Sequence, residues 1–159
     1  MFDISATQII QAILAPAIMI SSCGLILLGL QNRYSFIVNR IRLLNEERRR
    51  LQKQLVSGKD LDYSENIRFH SVRQQMQELS TRAFILRNAI LFEIIGAIFF
   101  VLTSLLIALF FFIPHEFVQI LPIFSFLIGL VSVLMGLLFF GRDILKAYKV
   151  IKLETQAEE

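Results

Sequence analysis

The stretch ILPIFSFLIGLVSVLMGLLFF, residues 120–140, decides the fold class, because it holds 21 residues and no charged side chain. A helix rises about 1.5 Å per residue, so about 20 apolar residues cross the roughly 30 Å hydrocarbon core of a bilayer. Working outward, residues 89–113 form a second apolar run with Glu93 as its one charge, and residues 9–30 form a third. Three strands cannot close a barrel, so helices are the structure that fits. The sequence predicts an all-α membrane protein with three transmembrane helices.

Composition supports this class. Of the 159 residues, 55% are hydrophobic and only 18% are charged, whereas an ordinary soluble domain is about 25% charged. This composition excludes a disordered chain, and a single Cys excludes a scaffold held by disulfide bonds within the chain.

The Lys and Arg residues are distributed unevenly along the chain. Residues 31–88 hold 12 of the 16, residues 141–159 hold the other four, and residues 1–8 and 114–119 hold none. Loops on the cytoplasmic side of a membrane carry the excess of Lys and Arg. We therefore expect a bacterial cytoplasmic (inner) membrane protein. Its N-terminus and the turn 114–119 are expected outside, its middle segment and C-terminal tail inside, and its cations near anionic lipid headgroups.

Residues 31–88 carry two runs of a seven-residue repeat, which is typical of a coiled-coil seam. The first arm of the seam is Tyr34, Ile37, Ile41, Leu44, Arg48, Leu51 and Leu55, and the second is Phe69, Val72, Met76, Leu79, Ala83, Leu86 and Ile90. Between them, Gly58 can end one helix and Asp62 can cap the next. The sequence predicts an antiparallel helical hairpin that pairs Leu44 with Leu79. Arg48 either extends its charge towards an acid such as Glu78, or it acts as a polar residue that sets the register or makes an oligomer contact.

Glu93 lies about one turn inside the second span. The predicted hairpin pairing puts it level with Leu30 and within reach of Arg33. A lone carboxylate at that depth costs about 2–3 kcal/mol on insertion scales, so it needs a partner or a proton. Two interpretations remain open: a structural clamp, or a cation or proton site at the inner mouth of a pathway. The residues of the predicted clamp are Glu93, Arg33, Gln31 and Asn32.

Polar and small residues share one face of the first span. On a helical wheel, Gln8, Gln11, Ser22 and Gly29 fall within about 60° of each other, and the continued hairpin seam lies about 115° away. Glutamine is unfavourable in lipid, so this stripe points to another subunit and a pore, or to hydrogen-bonded helix packing without a conduit. In the third span, Ser125 and Gly129 are four apart and permit close helix approach.

The sequence contains no catalytic, nucleotide-binding or metal-binding motif, so we expect no enzyme, no cofactor and no metal. Arg48-Arg49-Arg50 does not indicate nucleic-acid binding, because Glu46 and Glu47 flank it and membrane topology explains the cations.

Several short motifs resemble a bacterial family of three-helix membrane proteins that is classified only as a domain of unknown function. The motifs are Ala15-Pro16, Gly29-Leu30-Gln31-Asn32-Arg33-Tyr34, Arg40-Ile41-Arg42, Leu79-Ser80-Thr81-Arg82 and Leu86-Arg87. The resemblance implies this architecture and no activity. The topology also resembles that of Oxa1-type insertases, but the spans here contain no Lys or Arg.

Three functions are compatible with these features. The first is a homo-oligomeric ion channel or transport protein whose first helix lines the path. The second is an insertase-like or chaperone-like protein whose hairpin captures a client. The third is a scaffold or regulatory subunit whose hairpin docks a cytoplasmic protein partner.

Overall fold

The structure, a computed structural model, describes residues 6–56, 63–112 and 116–156, and all of these are helical. They form three helices: α1 is Ala6–Val56, α2 is Tyr63–Phe112 and α3 is Glu116–Gln156. Each helix contains a segment that is long and apolar enough to cross a membrane. The predicted all-α class with three such helices is confirmed.

Each helix is much longer than its apolar span. α1 has 51 residues, so it is about 75 Å long and exceeds the roughly 30 Å of a hydrocarbon core. The polar arms continue from the first two spans without a break, because no Gly or Pro lies in 31–56 or 63–95. The predicted hairpin turn and its caps, residues 57–62, lie outside the described residues. α3 begins at Glu116, inside the segment predicted as the outer turn.

α2 is the central helix, because it packs along both α1 and α3, whereas α1 and α3 scarcely touch. Small side chains bring α3 close to α2. Ser132 Oγ donates to the carbonyl of Phe92 at 2.7 Å, and Ser125 Oγ donates to the carbonyl of Phe99 at 3.1 Å. A Cβ at Gly129 would lie 3.2 Å from that of Phe99. The small residues of the third span therefore permit the close approach that their spacing predicts.

The register between α1 and α2 differs from the predicted one. Arg68 pairs with Glu47, with Nε 2.7 Å from Oε1. The predicted register placed this part of α2 beside Leu55. Cys23, rather than Leu30 one heptad later, is the α1 residue that interacts with Glu93. Both contacts indicate a shift of about one heptad, which a repeating apolar seam permits because each heptad presents the same kind of surface.

Candidate functional site

Two carboxyl groups are completely buried where the three helices meet. Glu93 belongs to α2 and Asp143 belongs to α3, and each residue is 0% exposed. Burying an ionised carboxylate is costly unless a counter-charge or hydrogen bonds compensate. The surroundings of these two groups therefore define the candidate functional site.

Asp143 is held by one arginine from each of the other two helices. Arg82 of α2 donates from Nε to Oδ1 at 3.1 Å. Arg33 of α1 places Nη1 3.8 Å from Oδ2, which makes an ion pair, although Oδ2 accepts no hydrogen bond from the described residues. Among the described residues, this cluster is the one ion-pair network that links α1, α2 and α3. It compensates the buried charge and ties the three helices together.

Aromatic rings support the cations around this cluster. The guanidinium of Arg33 lies 5.2 Å from the ring centre of Phe140, and that of Arg142 lies 5.8 Å from the ring centre of Phe139. Phe139 in turn stacks on Phe92 of α2, with 5.5 Å between ring centres. A cation within about 6 Å of an aromatic ring is attracted to its face. These contacts position the guanidinium groups at the end of the apolar segment of α3.

An open pocket of about 360 Å³ lies beside the cluster. Its lining residues are Asn32, Arg33, Phe36, Ile37, Arg82 and Asp143. Two guanidinium groups and one carboxylate line this pocket, so its walls carry one excess positive charge. Pockets of this volume are within the range of about 300–1,000 Å³ that small ligands occupy.

Glu93 has a different environment. Its neighbours include Cys23 of α1 and Gly136 of α3, where a Cβ would lie 3.0 Å from Oε2. The Cys23 thiol interacts with the carboxyl group as a weak hydrogen-bond partner, and no other described residue donates a hydrogen bond to either carboxyl oxygen. The nearby hydroxyl of Ser132 donates to a backbone carbonyl instead. Glu93 is therefore a buried acid that forms no ion pair with any described cation.

The predicted clamp between Glu93 and Arg33 is wrong. Arg33 pairs with Asp143, and Gln31 and Asn32 are exposed. The physical reason is the register of the two helices, because a shift of about one heptad moves Glu93 from the level of Leu30 to that of Cys23. The predicted partners therefore lie about two turns of α1 away from the acid.

The predicted polar stripe lies on the free side of α1. Gln11, Ser22 and Gly29 are exposed, whereas Cys23 and Leu30 are buried on the side that packs on α2. The side chain of Gln8 lies outside the described residues. The hydroxyl of Ser22 donates to the carbonyl of Ile18 at 3.1 Å, so its hydrogen-bonding need is already met within the helix.

The predicted seam residues face the interior of the hairpin. Apart from Leu55, whose side chain lies outside the described residues, every seam side chain is buried or half-buried. The arms also meet at the ion pair between Glu47 and Arg68. The Arg68 guanidinium, which donates to both carboxyl oxygens, holds the pKa of Glu47 below its usual range.

A family model matches residues 13–153. This range includes Glu93 and all three members of the Asp143 cluster, Arg33, Arg82 and Asp143. Its description is a protein of unknown function, DUF2721. The chain belongs to the DUF2721 family. This confirms the predicted resemblance to a family that is classified only as a domain of unknown function. No curated protein and no solved structure matches the chain. Gln8 and Gln11 of the polar stripe lie outside the part of the DUF2721 protein that the family model matches.

Asp143 and Arg82 are site residues of this DUF2721 protein that the sequence patterns do not predict. One signal was available: Arg33 and Asp143 stand three residues beyond the ends of the first and third predicted spans. Opposite charges at the same depth in neighbouring helices are candidates for an ion pair. Arg82 carried no signal of this kind, because 12 cations share its segment, and only its place in the motif Leu79-Ser80-Thr81-Arg82 distinguished it from the others.

Among the described residues, no group of three or more His, Cys, Asp or Glu side chains is placed to hold a metal ion.

Proposed function

We propose that this DUF2721 protein is a homo-oligomeric ion channel or transport protein, in which α1 of each copy lines a path between subunits. The observation that carries this proposal is the uncovered side of α1. Gln11, Ser22 and Gly29 are exposed there, within a helix that is apolar enough to cross a membrane. The amide of Gln11 in such a segment is expected to face protein or water rather than lipid. The Ser22 hydroxyl is satisfied within its own helix, so Ser22 and Gly29 contribute small size to this face rather than an unmet polar group.

A second feature of the same face supports self-association. Phe36 and Leu43 follow Gly29 at intervals of seven residues, so they continue this face beyond the apolar span. They are 74% and 59% exposed. Large apolar side chains outside the hydrocarbon region favour a protein partner over water. A second copy of α1 is the partner that fits, because it offers the same small and apolar residues at the same depths.

The proposed orientation follows from the Lys and Arg distribution. It places the hairpin and the end of α3 on the cytoplasmic side of a bacterial inner membrane, and it places Glu116 outside. Single Cys residues at Glu116 and Lys59, in a Cys23→Ala background, can be labelled in intact cells with a membrane-impermeant thiol reagent. We expect labelling at position 116 alone. Labelling at position 59 alone would show that the protein has the opposite orientation.

Cysteine accessibility tests the path itself. In membranes, Cys at Ser22 and at Gln11 is expected to react with a charged, water-soluble thiol reagent. Two controls should stay protected: Leu28→Cys, which is exposed on another face of α1, and Leu30→Cys, which is buried against α2. If Ser22→Cys is as protected as Leu28→Cys, the stripe is in lipid or in dry packing, and the path along α1 does not exist.

Cross-linking tests the assembly. Leu43→Cys is expected to form a disulfide between two copies, whereas Arg42→Cys, exposed but 100° around the helix, is not. A monomer in gentle detergent that gives no cross-link at position 43 would contradict self-association. That outcome would favour a scaffold or an insertase-like protein whose hairpin docks another protein.

Glu93 favours a second candidate, ion or proton transfer within one subunit. The support is that Glu93 is fully buried in an apolar segment, where the described residues offer its carboxyl group no cation and only the weakly polar thiol of Cys23. In liposomes, Glu93→Gln is expected to abolish ion or proton flux, and Glu78→Gln, an exposed acid of the hairpin, to leave it unchanged. Equal flux in both variants would exclude Glu93 from the path.

A further inference from the structure

The pocket beside Asp143 offers hydrogen-bond donors that its ion pairs do not use. Arg82 directs Nε to Asp143, while the nearest nitrogen of Arg33 stays 3.8 Å from that carboxylate, too far for a hydrogen bond. A guanidinium carries five N–H donors, and the side chain of Arg33 is 50% exposed. Asn32, which is also exposed, adds an amide at the same pocket. The open side of the pocket therefore presents donors together with one excess positive charge.

The position of the pocket indicates which anion it fits. Arg33 and Asp143 each stand three residues beyond the ends of the apolar runs 9–30 and 120–140. This is the depth at which lipid phosphates lie when those runs fill the hydrocarbon core. Phe36 and Ile37 supply an apolar wall beside the donors. Such a combination suits a group that is charged at one end and continuous with apolar chains at the other.

The pocket is also held rigidly. Asp143 fixes the guanidinium of Arg82 by a hydrogen bond and attracts that of Arg33, and the ring of Phe140 lies against Arg33. Donors that are already oriented lose little side-chain entropy when an anion binds. Asp143 would itself repel an anion, but two guanidinium groups outweigh its single charge. Asp143 is therefore a positioning residue here, and Arg33 and Asn32 are the binding residues.

We propose that this pocket binds the phosphodiester group of an anionic phospholipid, with Arg33 and Asn32 donating to the phosphate oxygens. Basic pockets between transmembrane helices are known binding places for anionic headgroups. The net charge of the lining favours a lipid with net negative charge over a zwitterionic one with the same phosphate. The proposal does not require ion conduction, and Phe36 belongs both to this pocket and to the face of α1 that is proposed to self-associate.

The test is lipid binding to the purified full-length chain. Native mass spectrometry in detergent, with phosphatidylglycerol or phosphatidylcholine added in equal amounts, is expected to show preferential retention of phosphatidylglycerol. Arg33→Gln is expected to weaken that binding about tenfold or more, since hydrogen bonds to charged groups contribute about 1.5–3 kcal/mol each. Arg42→Gln, which removes the same charge from an exposed position outside the pocket, should bind as the unmodified chain does.

A second variant separates binding from stability. Asn32→Leu leaves the Asp143 ion pairs intact and is expected to weaken lipid binding without lowering the melting temperature. A competition arm with inorganic phosphate and glycerol phosphate distinguishes a lipid from a soluble anion, and neither is expected to displace the lipid.

Three results would overturn the proposal. Equal losses in Arg33→Gln and Arg42→Gln would mean general surface attraction rather than a site. Displacement of phosphatidylglycerol by millimolar glycerol phosphate would mean that the pocket takes a soluble phosphate. Equal retention of phosphatidylglycerol and phosphatidylcholine by the unmodified chain would mean that the charge of the pocket does not select the headgroup.

Discussion

Glu93 and Asp143 are both fully buried, yet only Asp143 is compensated. Asp143 receives a hydrogen bond from Arg82 and an ion pair from Arg33, while the described residues offer Glu93 only the weakly polar thiol of Cys23. Removing one partner from a buried ion pair leaves an uncompensated charge, which is strongly destabilising. Asp143 therefore belongs to the framework of the fold, whereas Glu93 is maintained by the fold at a cost, which is typical of functional groups.

Breaking the ion pair between Arg82 and Asp143 should have the largest effect on the free energy of unfolding. Arg82→Gln removes the only hydrogen-bond donor that the described residues offer to Asp143, whose side chain is 1% exposed. We expect the free energy of unfolding to fall by about 3–5 kcal/mol, measured by unfolding in mixed detergent micelles with increasing SDS.

The matched control for Arg82→Gln is Arg33→Gln. Arg33 is half-exposed and lies 3.8 Å from Asp143, so its loss should cost less than about 1 kcal/mol. Equal losses in the two variants would show that the longer ion pair is as strong as the hydrogen-bonded one.

The next effect tests how tightly Glu93 is enclosed. Gly136→Ala would place a Cβ 3.0 Å from Glu93 Oε2 and 3.2 Å from the carbonyl of Ala89. We expect this overpacking to lower the free energy of unfolding by about 1–3 kcal/mol. Gly141→Ala is the control on the same helix, because a Cβ there meets no atom within 4 Å. If Gly136→Ala is as stable as Gly141→Ala, α2 and α3 are not in close contact at Glu93.

Neutralising the acids separately gives a smaller effect and the clearest contrast. Glu93→Gln keeps the shape of the side chain and removes an ionisable group that no cation of the described residues pairs, so the melting temperature in detergent should stay unchanged or rise. Asp143→Asn should lower it, because Arg82 loses its counter-charge. A melting temperature that falls further in Glu93→Gln than in Asp143→Asn would indicate that Glu93, not Asp143, is structural.

The smallest effect concerns the ion pair far from both acids. Arg68 lowers the pKa of Glu47, so this pair stabilises the hairpin above the pKa of an unfolded Glu, about 4.3. The stabilisation is lost as pH falls through the lowered folded value. We expect the protection factors of the amides around Glu47, which correct for the intrinsic pH dependence of exchange, to fall below about pH 4 in the unmodified chain and to change little with pH in Glu47→Gln. The same pH profile in both would mean that the pair does not hold the arms together.

The sequence predicts those features of the site that depend on a single helix, namely which side chains are exposed and which are buried. The exposed positions of Gln11 and Ser22 and the burial of Ile37 and Leu44 follow from helical periodicity, which the chain itself displays. The Asp143 cluster could not be derived in this way, because its members come from three helices and meet only when all three are packed. The error about Glu93 has the same origin, since its partner was inferred from a register rather than from a local pattern.

The amino-acid sequence by itself determined three apolar spans, the continuity of two of them with a polar hairpin, and the face of each helix that turns inward. These properties depend on hydropathy, length and period, which are local. Only the tertiary structure decided which heptad of α1 lies beside which heptad of α2. A repeating seam is almost equally satisfied by a shift of seven residues, so the choice rests on contacts between distant residues, such as Glu47 with Arg68 and Arg33 with Asp143. The register between α1 and α2 therefore decides that Asp143 has an ion-pair partner on α1 and that Glu93 has none.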